Sequence, residues 1–293
     1  MKFDIAQKIA DAVLYEGYLL YPYRRSAAKN QARWQFGVLV PLSYSDNSGS
    51  DPWSSQTECL LEPGAAPELH FKIRFLQLQA RIVEQASDAE RLQFRAVDKL
   101  EIHGKRYLTW DEAVEREIEH EAIVVEQLLS SERELSVDVP GGRDIEPLSD
   151  PDSRIVARIV KERWPIHGRI RLAAERSGGI LKIRLRLENL TAWPDSSAAD
   201  RNLALRRSFI ATHALLSIAD GAFVSLIDPP GWAREAAASC INLHAWPVLA
   251  GANGRRDVIL SAPIILYDYP QVAPESAGDL FDLTEIDELL TLR

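Results

Sequence analysis

The sequence feature that most constrains the fold is a segment of alternating apolar and charged residues around a glycine pair. It reads HGRIRLAAERSGGILKIRLRLENLTAW and covers residues 167–193. Apolar side chains occupy every second position before and after Ser177-Gly178-Gly179, the stretch that turns the chain. They are Ile170, Leu172, Ala174, Ile183, Leu185 and Leu187. A period of two on each side of a short glycine turn predicts a β-hairpin with one apolar face.

Other segments show the patterns of strands. In LHFKIRF, residues 69–75, apolar residues alternate with His, Lys and Arg, which is the period of a half-buried strand. The sequence His103-Gly104-Lys105 predicts a tight turn between two short strands. In residues 113–129 the glutamates are compatible with a helix, but the β-branched run 123–125 favours a strand. Further strands are predicted at 34–41, with Gly37 as a bulge, and at 222–227 and 258–267.

Three segments have helical patterns. Residues 3–15 and 200–219 are predicted as helices, the second one N-capped by Asp200. The tail has an apolar stripe of Leu283, Ile286, Leu289 and Leu290 on an otherwise acidic helix. The polar residues 43–57 are predicted as a loop. These patterns predict an α+β protein, rich in strands, with mainly antiparallel sheets in a sandwich-like arrangement and a few helices that include one at each end.

The middle of the chain offers one candidate boundary. Residues 137–153, VDVPGGRDIEPLSDPDS, have the Pro, Gly and Asp content of a connection. They would separate an N-terminal α+β part, 1–136, from a β-rich part, 154–293, that ends in the acidic helix. The alternative is a long surface loop within one domain, 1–293, because a chain of 293 residues is compatible with one large domain or two ordinary ones.

The charge and hydropathy of the chain exclude some functions. The formal net charge is −9 and the sequence pI is near 5.3, which argues against non-specific nucleic-acid binding. No run approaches the ~20 apolar residues that a membrane-spanning helix needs. The first fifteen residues contain Asp4 and Asp11 and lack a long apolar core, so we expect no secretory signal and a cytoplasmic location.

Two cysteines, Cys59 and Cys240, give no paired ligand spacing. Neither a disulfide nor a zinc or iron–sulfur site is expected within one subunit, and no metal or cofactor is predicted. The sequence has no Gly-x-Ser-x-Gly elbow, no phosphate-binding GxxxxGK[ST] loop and no His-Glu-x-x-His pair. No motif therefore specifies a reaction.

The candidate binding region lies near the start of the chain. Residues 15–41, YEGYLLYPYRRSAAKNQARWQFGVLVP, contain four tyrosines, four cations and no acidic residue after Glu16. Tyr and Arg are enriched at interface hot spots because they supply large, stiff contact areas with polar ends. The predicted partner-binding residues are Tyr18, Tyr21, Tyr23, Arg24, Arg25, Lys29, Arg33 and Trp34. The alternatives are an arm that packs on the protein's own sheet and a platform on which nucleic-acid bases stack.

Two other groups of residues suggest alternative functions. Cys240 and His244 are four residues apart and, with Asp228 near the same cleft, suggest an enzyme of unrecognised type; packing on a strand is the favoured interpretation. The tail carboxylates Asp279, Asp282, Glu285, Asp287 and Glu288, together with the histidines, suggest a metallochaperone, although their spacing is not that of a calcium loop. The same carboxylates could pair with the N-terminal cations within one chain or between copies, so a homo-oligomer is a further expectation.

Two stretches carry a resemblance to a known family. They are YEGYLLYPYRRSAAKNQARWQFGVLVP and APIILYDYPQVAPESAGDLFDLTEIDELLTLR, about a fifth of the chain. Together they resemble a family of bacterial proteins encoded beside [NiFe]-hydrogenase genes. The resemblance implies an accessory protein that supports the assembly or maturation of a hydrogenase and whose partner is a hydrogenase subunit or maturation protein. It implies no catalytic residues.

Overall fold

One very long strand organises the fold. The computed structural model describes residues 3–15, 34–48, 51–87, 93–194 and 200–271, in which β1 runs from Ser54 to Ala86. The other strands are β2 Phe94–Val97, β3 Lys99–Ile102, β4 Lys105–Leu108, β5 Trp110–Val124, β6 Arg133–Val139, β7 Gly142–Ser149, β8 Ile155–Arg163, β9 Ile166–Ser177, β10 Ile180–Asn189, β11 Ile210–Val224, β12 Trp246–Leu249 and β13 Val258–Ala262. The strand-rich prediction is therefore confirmed.

Helices are few and short in the described part of the chain. They are α1 Asp4–Ala10, α2 Leu42–Ser48, α3 Val125–Ser130, α4 Arg201–Leu205 and α5 Arg234–Ala238. A π-helical turn, Asp11–Tyr15, follows α1, and this confirms the N-terminal helix. The predicted C-terminal helix lies outside the described residues. None of the helices in the described ranges is long and apolar enough to cross a membrane.

All the recorded pairings of the large sheet are antiparallel. β1 pairs with β10 through residues 54–61, with β11 through 60–76, with β5 through 68–81, with β8 through 79–85 and with β2 through 83–86. Within the described residues the sheet has eleven strands, and β3 and β4 form a separate hairpin. A strand of this length keeps many partners only if it bends, and its register with β11 shifts between Pro63 and Glu68 and between Arg74 and Leu76.

The most constraining sequence pattern is confirmed. β9 and β10 form the predicted hairpin, with Ser177 opposite Ile180 and Gly178 in the left-handed region at φ +63°. The alternating strand at 69–75 is part of β1, and the turn at His103-Gly104 joins β3 to β4. Residues 113–124 belong to β5, whereas 125–130 form α3.

Apolar side chains are buried on both faces of β1. Phe71 and Phe75 point into one cluster, which includes side chains from β5, β6, β9, β10 and β11 of the same sheet, so the sheet curves around this cluster. Leu76 and Leu78 point into a second cluster, which is completed by α1 and by residues 34–44. Burial on both faces explains why apolar residues occupy consecutive positions of β1 at Leu60-Leu61 and at Phe75-Leu76. The sandwich-like arrangement stays a prediction.

Two predictions for residues 34–57 are wrong. Residues 34–41 form no continuous strand, and only Leu39 pairs with Phe209 in an isolated bridge. Gly37 has φ +59°, and a Cβ there would lie 2.6 Å from the Thr212 backbone nitrogen, so glycine permits a close approach of two backbones. Residues 43–57 are not one loop, because they contain most of α2 and the start of β1.

The predicted helix at 200–219 is also wrong. Asp200 does cap a helix, since its side chain accepts a hydrogen bond from the Asn202 N–H at 2.9 Å, but α4 ends at Leu205. From Ile210 the chain enters the middle of the sheet as β11, where pairing with β1 and β13 overrides helix propensity. The strand predicted at 222–227 covers only the end of β11, which stops at Val224. The strand predicted at 258–267 is shorter than expected, because β13 ends at Ala262.

The proposed boundary contains regular structure. Residues 137–153 include the end of β6 and all of β7, so they are not an irregular connection. β1 belongs to the first predicted part and is hydrogen-bonded to β8, β10 and β11 of the second. This shared sheet favours the single-domain alternative.

Candidate functional site

The candidate site lies where the chain leaves β11 and returns to the sheet as β12. We call residues 225–246 the docking segment. It contains a 3₁₀ turn at Gly231–Ala233, then α5, then an irregular stretch up to Trp246. Ala233 packs against Leu60, Ile180 and Val224 in a small apolar cluster, which anchors the segment to β1, β10 and β11.

Hydrogen bonds fix the end of the docking segment to β1. Gln56 and Leu243 exchange two backbone hydrogen bonds of 2.9 Å each. The Asn242 side chain accepts a bond from the Glu58 N–H at 2.8 Å, and the Glu58 carboxylate accepts one from the Ile241 N–H at 2.8 Å. Glu58 is itself buried, with Lys182 at 3.8 Å. The backbone of residues 241–243 is therefore held against this part of β1 by these hydrogen bonds.

The fixed backbone of the docking segment carries exposed apolar side chains. Trp232 is 59% exposed and Ile241 57% exposed. Ile227, Leu243 and Trp246 complete the set, so five of the fifteen most exposed large apolar side chains in the described residues lie within this one segment. Single exposed apolar residues are common on proteins, but a concentration of them is typical of a surface that binds another molecule.

An open groove of about 800 Å³ adjoins the docking segment. One wall is the tip of the β9–β10 hairpin, residues 177–180, and the other comprises Trp232 and the first residues of α5 up to Ser239. Two carboxylates, Glu62 and Glu235, also line the groove. The groove thus combines an indole ring with acidic groups.

The structure gives little support to a thiol nucleophile at Cys240. Burial, with a smaller contribution from Glu58, raises the pKa of Cys240 to about 11, and nearby Lys182 opposes the shift only in part. The thiol donates a hydrogen bond of 3.5 Å to the Ala236 carbonyl. His244 is exposed, and no hydrogen bond joins it to Cys240 in the described structure. The predicted strand at these two residues is wrong, since the stretch is irregular apart from the bridge at Leu243.

We therefore expect Cys240 to react slowly with a thiol reagent in the native protein, because only the thiolate is a strong nucleophile. Cys59 is buried, and its pKa is raised by burial, so it should react more slowly still. The measurement is the rate of labelling at pH 7.5 with and without denaturant. Fast labelling of Cys240 before unfolding would restore the enzyme hypothesis. As a control, the unfolded protein should be labelled at both Cys59 and Cys240.

Most of the residues predicted to bind a partner fall outside the described structure. Tyr18, Tyr21, Tyr23, Arg24, Arg25, Lys29 and Arg33 lie in 16–33, which the structure does not describe. Trp34 is described, and it is only 7% exposed and packs in the second core cluster. Trp34 therefore belongs to the core rather than to an outward-facing surface. The tail carboxylates are also outside the described residues.

A polar cluster around the buried Arg74 lies at the end of the π-helical turn Asp11–Tyr15. Sequence reasoning did not identify it. The Arg74 guanidinium lies 4.9 Å from the centre of the Tyr15 ring and donates hydrogen bonds to Asp11 at 2.6 Å and to Glu115 at 3.2 Å. The Tyr15 ring meets His213 edge-on at 5.3 Å. The cluster ties the π-helical turn to β1, β5 and β11.

Two groups of this cluster have no hydrogen-bond partner in the described structure. They are the Tyr15 hydroxyl and Nε2 of His213. His213 Nδ1 lies 2.8 Å from the Ala211 carbonyl, to which it can only donate. Burial, with a smaller contribution from nearby Arg74, lowers the pKa of His213 to about 3, and burial raises the pKa of Tyr15. A neutral, buried histidine beside an arginine suits a structural role better than proton transfer near pH 7.

Comparisons with known proteins leave the function to be argued from the structure. No family model matches the sequence, and no curated protein matches it. Within the described ranges, no three His, Cys, Asp or Glu side chains are grouped so that they could hold a metal ion.

Proposed function

We propose that this is an accessory protein that acts by binding another protein through the docking segment. The observation that carries the proposal is the set of exposed apolar side chains on a backbone fixed to β1. A rigid surface loses little conformational entropy on binding, and Trp side chains supply much of the energy at interface hot spots. Arg234, Glu235 and His244 are exposed in the same segment and supply the charged rim that such an interface has.

The identity of the partner rests on the sequence resemblance alone. It suggests a hydrogenase subunit or a hydrogenase maturation protein, met in the cytoplasm. The Tyr/Arg arm, residues 18–33, would add a second, basic contact to the same partner. Two linked contacts bind more tightly than either one, provided that the partner can meet both.

The proposal predicts that a charge within the docking segment weakens partner binding without unfolding the protein. In the double variant Ile241→Asp, Leu243→Asp, two exposed apolar contacts are replaced by carboxylates that would have to be desolvated. We expect the affinity for the partner to fall by about tenfold or more. The measurement is co-purification from the source organism, followed by titration of the purified partner, with thermal unfolding to verify the fold.

The matched control is Ile155→Asp together with Ile145→Asp. These two isoleucines are exposed to a similar degree but lie on β7 and β8, far along the chain from the docking segment. The control should bind as the wild type does. If the double variant Ile241→Asp, Leu243→Asp bound the partner as tightly as the wild type does, the proposed surface would be refuted. The triple alanine variant at Tyr21, Tyr23 and Arg24 tests the arm separately, since it should lose the partner while the thermal unfolding temperature stays nearly unchanged.

A further inference from the structure

The groove beside Trp232 has the chemistry of a site for a cationic side chain. We propose that it takes an arginine side chain of the partner protein, an inference that rests on the proposed function and names the chemistry of one contact. The exposed Trp232 ring offers a π-face to a cation, and Glu235 offers a carboxylate in the same groove. A cation over an indole face and a carboxylate beside it are the two interactions by which proteins hold guanidinium groups.

The two carboxylates of the groove are not equivalent. Glu62 Oε1 lies 2.6 Å from Nη1 of Arg256, so an ion pair within the protein already compensates its charge. Glu235 is exposed and has no ion pair in the described part of the chain. The groove therefore has negative charge available at Glu235, which complements a positive ligand and disfavours an acidic one.

The walls of the groove leave room for a side chain and offer it a hydrogen-bond acceptor. Its far wall is the turn of the β9–β10 hairpin, where Gly178 and Gly179 carry no side chain. A Cβ built on either glycine would meet no atom within 4 Å, so this wall is open. Nearer α5, the Ser239 hydroxyl donates to the Ala236 carbonyl at 2.7 Å and keeps its own oxygen as an acceptor for an N–H group.

Arginine fits these features better than lysine. Its planar guanidinium can stack on an indole ring and direct two N–H groups at one carboxylate, whereas the lysine ammonium is a compact, strongly hydrated charge. The apolar stem of arginine can pack on Ala236 while its guanidinium lies over the Trp232 ring and reaches Glu235. The groove thus provides a polar anchor on the same docking segment that carries Ile241 and Leu243.

The test uses the full chain and two small probes that differ in charge. The probes are Nα-acetyl-arginine amide and its neutral analogue Nα-acetyl-citrulline amide. Binding is followed by NMR at the indole N–H of Trp232 and at the backbone N–H groups of Gly178 and Gly179, which line the same groove and remain in every variant. We expect the arginine probe to bind with a Kd of about 1 mM and the citrulline probe at least about tenfold more weakly. Equal binding of the two probes, or no detectable binding of the arginine probe, would overturn the inference.

Two variants and one control locate the site. Glu235→Gln should weaken the arginine probe by about tenfold, and Trp232→Ala should remove its binding. Glu146→Gln, which changes an exposed glutamate on β7, should bind as the wild type does. Undiminished binding of the arginine probe to Glu235→Gln would mean that another site holds it, and the inference would fail.

This outcome can be separated from that of the proposed function. The double variant Ile241→Asp, Leu243→Asp could lose the partner while Glu235→Gln keeps its full affinity for both the partner and the probe. That result would support the docking segment and refute the arginine subsite. If the probe experiments succeed and the Asp variants keep the partner, the groove binds cations but the proposed docking surface is wrong.

Discussion

Replacing Phe75 with alanine is expected to lower the free energy of unfolding by about 3–5 kcal/mol. Phe75 lies in β1, is completely buried and meets Phe209 edge-on at 4.8 Å between ring centres. The substitution removes the transfer free energy of the ring and leaves a cavity in a cluster to which several strands contribute. Urea unfolding followed by circular dichroism measures the difference.

Two variants make the Phe75 result interpretable. Phe36→Ala removes the same atoms from a ring that is more than half exposed, so its effect should stay within about 0.5 kcal/mol. Phe209→Ala, alone and combined with Phe75→Ala, should give non-additive losses, because the two rings contact each other. A loss below about 1 kcal/mol for Phe75→Ala would mean that the cluster is packed differently from the structure described here.

The same unfolding curves test the domain organisation. β1 is hydrogen-bonded to strands from both predicted parts, 1–136 and 154–293. A single sheet with one central strand should unfold in one cooperative transition. If the two parts were independent domains, Phe75→Ala would shift one of two transitions and leave the other in place.

Local patterns predicted the elements whose side chains alternate in polarity. The β9–β10 hairpin and the 69–75 stretch of β1 alternate because one face is apolar and the other pairs charges, as Arg186 does with Glu188. β11 was missed because it is buried on both faces for most of its length and contains alanine and leucine, which also suit a helix. Its conformation is determined by its neighbours in the sheet rather than by its own sequence.

The start of β1 shows a second limit of sequence reasoning. Ser54, Gln56, Thr57 and Glu58 look like loop residues, yet all four are buried. Each is hydrogen-bonded to a group far away in the chain; Thr57, for example, lies 2.5 Å from the Ser261 hydroxyl. Polar residues can line a buried strand when they have such partners, and the sequence does not reveal those partners.

Sequence analysis did not identify the docking segment for the same reason, since its position depends on partners far away in the chain. Cys240 and His244 of the docking segment were predicted to pack on a strand, and the importance of the segment depends on the pairing of Gln56 with Leu243 across most of the chain. Without that pairing, Ile241 and Leu243 would be expected in the core. The N-terminal arm, in contrast, was found from composition alone, and its role stays a prediction because residues 16–33 lie outside the described structure.

Acidification is expected to destabilise the protein through His213, by about 2 kcal/mol between pH 6.5 and pH 4.5. Burial lowers the pKa of this histidine from 6.5 to about 3, so the folded state remains unprotonated where the unfolded state binds a proton. The stability that His213 contributes is complete above pH 6.5 and is lost as the pH falls towards 3, at up to about 1.4 kcal/mol per pH unit. Arg74 is one cause of this lowered pKa, because a second positive charge beside its guanidinium is unfavourable.

The expected result is a difference between two pH profiles, since carboxylates elsewhere also titrate in this range. His213→Gln should be less stable than the wild type near pH 7, because it replaces a packed ring and its bond to the Ala211 carbonyl. As the pH falls to 4.5, the gap between the two proteins should narrow by about 2 kcal/mol, since glutamine takes up no proton. His103→Asn, a change at an exposed turn, should run parallel to the wild type throughout. A gap that stays constant with pH would show that His213 is protonated equally in the folded and unfolded states, and so that it is not enclosed between Tyr15 and Arg74.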